Sequence, residues 1–159
     1  MARLIPNERT WIGFATAVAD ITKPTVAEVA AAVDLTGLCM TLNASAQGNT
    51  VPTPSFDTLF ETSIPGTVQA QFQADFYRDD EDDLAWETLP RSTNGFFVVS
   101  RFGGTGTDNL PIATDVVEVW PVKVTSRTMQ NLASNQVQMF SVQCSVPVEP
   151  AEDAVVTAP

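Results

Sequence analysis

Residues 68–83 read VQAQFQADFYRDDEDD. Val68, Ala70, Phe72, Ala74 and Phe76 alternate with Gln69, Gln71, Gln73 and Asp75. A period of two predicts a β-strand with one face toward a core. The opposite face is polar yet uncharged until Asp75. Five consecutive acids follow, Asp79 to Asp83. Calcium loops place their ligands at alternate positions around a glycine turn, and adjacent carboxylates cannot all converge on one ion. In the LAWETLP that follows, Leu84, Trp86 and Leu89 share a helical face and Pro90 stops the segment. Acids in a first helical turn complement the helix dipole, each by about 0.3–1 kcal/mol. The acidic run therefore reads as the start of a short outer helix.

The remaining segments extend this pattern into a mainly β chain. Residues 1–10, with Pro6 and mixed charges, read as an N-terminal arm. WIGFATAV (11–18) has the β-branched and aromatic content of a strand. In KPTVAEVAAAVDLTG, Thr25 and Glu28 stand at capping-box spacing ahead of Val26, Val29 and Val33, predicting a helix over 26–33. LTGLCMTLNA (35–44) reads as a strand and SAQGNTVPTPS as a long loop over about 44–55, a length that implies a use. FDTLFETSIPG (56–66) leans toward extended backbone. GFFVVSRFG (95–103) is nearly all apolar and predicts a strand covered on both faces. Pro121 in DVVEVWPVKVTSR predicts an edge or a bulge at Trp120–Pro121 that would put Val117, Val119, Val122 and Val124 on one face. A last strand turns Phe140, Val142, Cys144 and Val146 inward and Ser141, Gln143 and Ser145 outward. Residues 149–159 read as a loose tail. The expected architecture is a β-sandwich-like domain over 11–148 with one or two short flanking helices.

Composition narrows the chemistry. The 159 residues suffice for one domain with a real core. Nineteen acids against eight bases give a net charge of −11, which disfavours binding nucleic acid by phosphate neutralisation. There is no histidine, the commonest general base and metal ligand. Cys39 and Cys144 form no metal motif and read as buried free thiols. GGTGTDN lacks the ending of a phosphate loop, and no serine sits in a nucleophile elbow. Trp86 and Trp120 fit core or interface positions, whereas Trp11 reads as partly exposed. No apolar run approaches a membrane span, and MARLIPNERT has no apolar leader core. Neither an enzyme, a cofactor nor a metal is expected; the chain reads as a building block.

Four segments together resemble the major tail tube proteins of long-tailed, siphovirus-type bacteriophages of actinobacterial hosts. They are DITKPTVAEVAAAVDLTG, GTVQAQFQADFYRDDEDDLAWETL, GFFVVSRFGG and VEVWPVKVTSRTMQNLASNQVQMFSVQCSVPVEPAEDA, spanning 20–154. The resemblance implies β-sandwich subunits that form hexameric rings and stack into a tube, their strands joining between subunits into one barrel. It implies a structural virion protein of the tail, made in the host cytoplasm. Its partners would be other copies, the tape-measure protein, the tail terminator and tail-tip proteins, with DNA passing through the lumen without specific binding and no membrane.

On that reading the candidate lumen-lining residues are Gln69, Gln71, Gln73 and Asp75, with Glu118, Gln138, Ser141 and Gln143 beside them. A plain solvated outer face is the competing assignment. Gln47, Asn49, Pro52 and Pro54 mark the candidate inter-ring loop. A negative conduit wall would repel phosphate and let DNA slide. Rival readings are a head decoration or head–tail joining protein and, more remotely, an acidic β-sandwich binding module, which would need a concave pocket with convergent polar groups.

Overall fold

The computed structural model describes residues 8–57 and 59–158. The proposed arm over 1–10 therefore lies outside the described residues except for its last three. Eight strands form one antiparallel sheet: β1 Trp11–Ala15, β2 Val33–Asp34, β3 Cys39–Thr53, β4 Thr62–Tyr77, β5 Asn94–Ser100, β6 Val116–Met129, β7 Met139–Ser145 and β8 Ala151–Val155. Their order is β2-β1-β5-β6-β7-β4-β3, and β8 adds to β6. Two one-turn helices, α1 Val26–Ala30 and α2 Leu84–Thr88, flank the sheet.

The expected sandwich is built from this single sheet rolled over on itself. Phe72 of β4 stacks on Phe97 of β5 at 4.4 Å between ring centroids, although β6 and β7 separate their strands. Phe72 also meets Trp120, and Phe14 meets Phe97 edge-on. Inside the roll lie Ile12, Phe14, Phe72, Phe76, Phe97, Trp120, Phe140 and Val142. The alternation holds as read over 70–76, with Phe72, Ala74 and Phe76 buried and Ala70 partly so, whereas Val68 lies beyond the core and is exposed.

A second cluster lies on the outer side of β1, β5 and β6: Trp11, Val29, Val98, Val117, Val119, Ala154 and Val156. Hence β5 is covered on both faces, as its composition requires. Trp11 is only 2% exposed, against the expectation of partial exposure. Its indole lies over Gly13, where a Cβ would collide with the ring, so only glycine fits there. The cover is α1 and β8. Thr25 and Glu28 form the predicted capping box: Thr25 Oγ1 accepts from the Glu28 N–H at 3.3 Å and Glu28 Oε2 accepts from the Thr25 N–H at 2.8 Å. The helix ends at Ala30, short of the predicted Val33, because Val33 and Asp34 pair with Phe14 and Gly13.

Several expectations are corrected. Of the expected loose tail over 149–159, the described part to 158 is anchored: β8 pairs with β6, and Thr157 donates its N–H to Pro24 O at 2.8 Å. No bulge separates Trp120 from Pro121. Val117 and Val119 face the outer cluster, while Trp120, Val122 and Val124 face the roll. Pro121 is tolerated because β6 changes partner there, pairing with β8 up to Val119 and with β7 from Lys123. Asp83 sits at the N-cap of α2 but makes no capping bond; its carboxylate pairs with Arg78 instead.

Candidate functional site

The sequence 44–55 is not a loop. β3 runs through it to Thr53 and pairs with β4 in a long hairpin, from Leu42↔Ala74 to Thr53↔Thr62. Gln47, Asn49 and Pro52 lie within β3, and Pro54 just beyond it. β7 accompanies β4 only as far as Gln71↔Ser145. Past that point the hairpin is a two-stranded arm, about 30 Å long at ~3.3 Å per residue. Each of its strands then has a free edge, which is why Pro52 and Pro65 are admitted. Val51, Ile64 and Val68 along the arm, and Phe56 and Leu59 at its tip, are exposed.

The second feature is a bare polar wall on the outer side of β3, β4, β7 and the second half of β6. Across these strands Thr41 pairs with Asp75, Asn43 with Gln73, Ser45 with Gln71 and Gln47 with Gln69. On the other side of β4, Ser141 faces Asp75, Gln143 faces Gln73 and Ser145 faces Gln71. Lys123, Ser126 and Thr128 of β6 continue these rows through Ser145, Gln143 and Ser141. Among the described ladder residues on this side, Asp75 and Lys123 are the charged ones.

The carboxylate of Asp75 is fixed by two hydroxyls. Thr41 donates to Oδ2 at 2.5 Å and Ser141 donates to Oδ1. The Cys39 thiol nearby is pushed up to about 11, first by burial and then by the Asp75 charge. Ser126 donates to the Gln143 side-chain oxygen at 3.3 Å, and Thr125 to its carbonyl at 2.9 Å. The wall is thus a cross-linked mesh of amides and hydroxyls around the Asp75 carboxylate.

Two of the candidate lining residues fall outside it. Glu118 pairs with Val99 on the inner side of the roll. Its carboxylate holds Arg101 and accepts from Trp120 Nε1 at 3.0 Å. Arg101 also reaches the carbonyl of Ala44 at 3.4 Å, so this group latches β5 and β6 to β3. Gln138 precedes β7 in the 130–138 connection and gives its carbonyl to the Arg78 N–H. Thr41, Asn43 and Ser45 escaped the sequence reading, although TLNASAQ carries the same two-residue alternation as its partner strand.

A cleft of about 610 Å³ between the 16–21 segment, β5 and residues 147–148 is lined mainly by Val18, Ile21, Phe96, Pro121 and Val148. Its one acid, Asp20, accepts from both the N–H and the hydroxyl of Thr22. That lining brings no second acid or base to the carboxylate.

The profile of the family described as phage tail tube protein matches residues 1–159. The chain belongs to that family. It is a structural component of the phage tail and not an enzyme. No curated protein matches it in sequence. Among solved structures, it resembles one from the sheath/tube terminator of an extracellular contractile injection system in its extended state. That match has a TM-score of 0.61 and 9% identity, over 94% of this chain and 96% of the other. The sheath-tube complex of the same system gives 0.61 and 10%, over 96% and 93%. A chain from the virion of a native gene transfer agent gives 0.57 and 12%, over 96% and 100%. At these identities the likeness is one of fold.

Proposed function

We propose that this tail tube protein closes into hexameric rings that stack into the tail tube of a siphovirus-type phage, with the Gln69–Gln71–Gln73–Asp75 wall lining the lumen. The observation carrying this reading is that the outer side of the sheet is sealed by α1 and β8 over one half and bare over the other. From Gln69 to Asp75 the bare half carries amides and hydroxyls, as a surface facing a water-filled bore requires, with Tyr77 and Met139 at its border. The sheet also ends in β3, which among the described residues pairs with β4 alone. Pairing that edge with a neighbouring subunit removes an aggregation-prone border and extends the wall into a barrel.

The wall chemistry refines the conduit. Asp75 and Lys123 offset each other, so local contacts with DNA are those of neutral amides. The −11 net charge of each chain adds a longer-range repulsion of phosphate. The arm containing Gln47, Asn49 and Pro52, with Pro54 past its last residue, bridges to the next ring. The tape-measure protein, tail terminator and tail-tip proteins are the remaining partners. The host is actinobacterial and synthesis is in its cytoplasm.

Negative-stain electron microscopy of the purified protein over a concentration series tests the reading. Hollow rings or striated tubes are expected. Discrete monomers or trimers at every concentration, with tape-measure protein present as well, would exclude it and favour a head decoration or joining protein.

A further inference from the structure

The two ends of β4 differ in chemistry. Thr62 begins the strand at the arm tip, and Tyr77 ends it 15 residues later, about 50 Å away. Immediately past Tyr77, Arg78 and Arg127 both stack on Trp86, with guanidinium-to-ring distances of 4.1 and 3.4 Å. Arg91 joins them, donating to the Arg127 carbonyl at 3.4 Å. Three of the eight bases of a strongly acidic chain therefore meet at one place.

Their charges are under-compensated. Asp83 pairs with Arg78. Among the described residues neither Arg91 nor Arg127 has a carboxylate partner, and Arg127 Nη1 donates to the Trp86 carbonyl at 2.7 Å. Burial first, and then the neighbouring charges of Arg78 and Arg91, lower the proton affinity of Arg127. Asp79 to Asp82 follow Arg78 but form no ion pair with the cluster, and Asp79 accepts from the Glu81 N–H instead. The 130–138 connection is anchored at both ends on Arg78, whose Nη1 donates to the Met129 sulfur at 3.3 Å and whose N–H donates to the Gln138 carbonyl, and its Leu132 and Val137 are 80% and 67% exposed.

The arm tip is the complement of this end. It combines the exposed apolar side chains of Phe56 and Leu59 with two acids, Asp57 and Glu61, and Glu61 makes no ion pair among the described residues. Matching patches at opposite ends of one strand cannot meet within a molecule. They meet between molecules placed head to tail, the arrangement that propagates along an axis.

We infer that the Arg78–Arg91–Arg127 cluster on Trp86, with Leu132 and Val137, is the socket for Phe56, Asp57, Leu59 and Glu61 at the arm tip of a second copy in the adjacent ring. The inference rests on the stacked-ring reading and gives its arm a residue-level docking partner. Charge sets the register of the contact and the apolar pairs exclude water from it.

Charge swapping tests it. Arg91→Glu and Glu61→Arg each change an exposed side chain, and thermal unfolding would confirm that both variants stay folded. Each alone is expected to raise the protein concentration needed for tubes by about tenfold or more, leaving rings intact. An equimolar mixture of the two variants, or the double variant, is expected to restore tubes, because every acidic tip then has a basic socket or the reverse. Folded single variants that form tubes like the parent would overturn the socket while leaving the tube reading standing. So would losses that neither mixture nor double variant repairs. If either reversal unfolds the chain, Arg91→Gln and Glu61→Gln replace them, with the same direction of effect required. A parent protein that forms neither rings nor tubes, with or without tape-measure protein, would remove both readings together.

Discussion

Along β6, Val117 and Val119 face the outer side of the sheet and are buried, yet a few residues on Lys123, Ser126 and Thr128 face that same side and stand on the edge of an open wall. The backbone is the same extended ladder in both places. What differs is the cover: α1 and β8 lie over the first half, and no element among the described residues lies over the second. Side-chain choice follows the cover closely. Beneath it are valine, tryptophan and alanine; away from it are glutamine, asparagine, serine and threonine. One side of one sheet thus serves as a hydrophobic interface in one half and a wetted surface in the other.

Removing residues 150–159 should have the largest effect on that contrast. It would bare Trp11, Val98, Val117 and Val119, each worth about 1.5–3 kcal/mol when buried, against a typical total stability of about 5–15 kcal/mol. The truncated chain is expected to lose its cooperative thermal transition; retention of a transition within a few degrees of the parent would mean that β8 is dispensable. Next comes a charge placed in each half. Val119→Asp should cost more than about 4 kcal/mol in denaturant unfolding, since an unpaired carboxylate would be buried. Gln73→Asp on the bare wall should stay near 0.5 kcal/mol, and equal costs would show that the wall is covered too.

Asp75→Asn is expected to cost about 1–3 kcal/mol, because two hydroxyls lose a charged acceptor. Thr41→Val combined with Asp75→Asn should then cost little more than Asp75→Asn alone. The smallest effect belongs to Glu28. Its carboxyl is held below its usual range by the backbone N–H groups of Thr25 and Ala19. A depressed folded pKa contributes stability above the ordinary carboxylate range, and that contribution is lost as the pH falls through the folded value. Glu28→Gln should therefore flatten the fall in stability below about pH 4.5 while shifting the neutral-pH midpoint only slightly; an unchanged acid slope would leave the capping box without a pH signature.

The alternation at 68–76, the two-sided burial of β5 and the capping box were legible because each is a local pattern with one physical cause. The arm was not. Gly48, Asn49 and Pro52 have loop propensity, and only the ladder to Ser63, Ile64 and Pro65 overrides it. That pairing partner lies beyond any local window. β8 was hidden for the opposite reason: Glu152 and Asp153 dominate its composition, and the inward pair Ala154 and Val156 is too short a run to register. The polar wall was half legible. Its β4 row announces itself, but its continuation into β6 depends on the bulge between Val124 and Ser126, which no spacing rule supplies.

The contact of two guanidiniums with the Trp86 ring has an optical side. Trp11 and Trp120 are sealed from water, so their emission should be blue-shifted and indifferent to events at the surface. Trp86 alone of the three indoles sits half-buried against two guanidiniums, and its intensity will follow any change in how Arg78 and Arg127 lie on its ring. The chain carries its own fluorophore at one pole of the molecule, and a plain fluorimeter can watch that pole in real time, without a label.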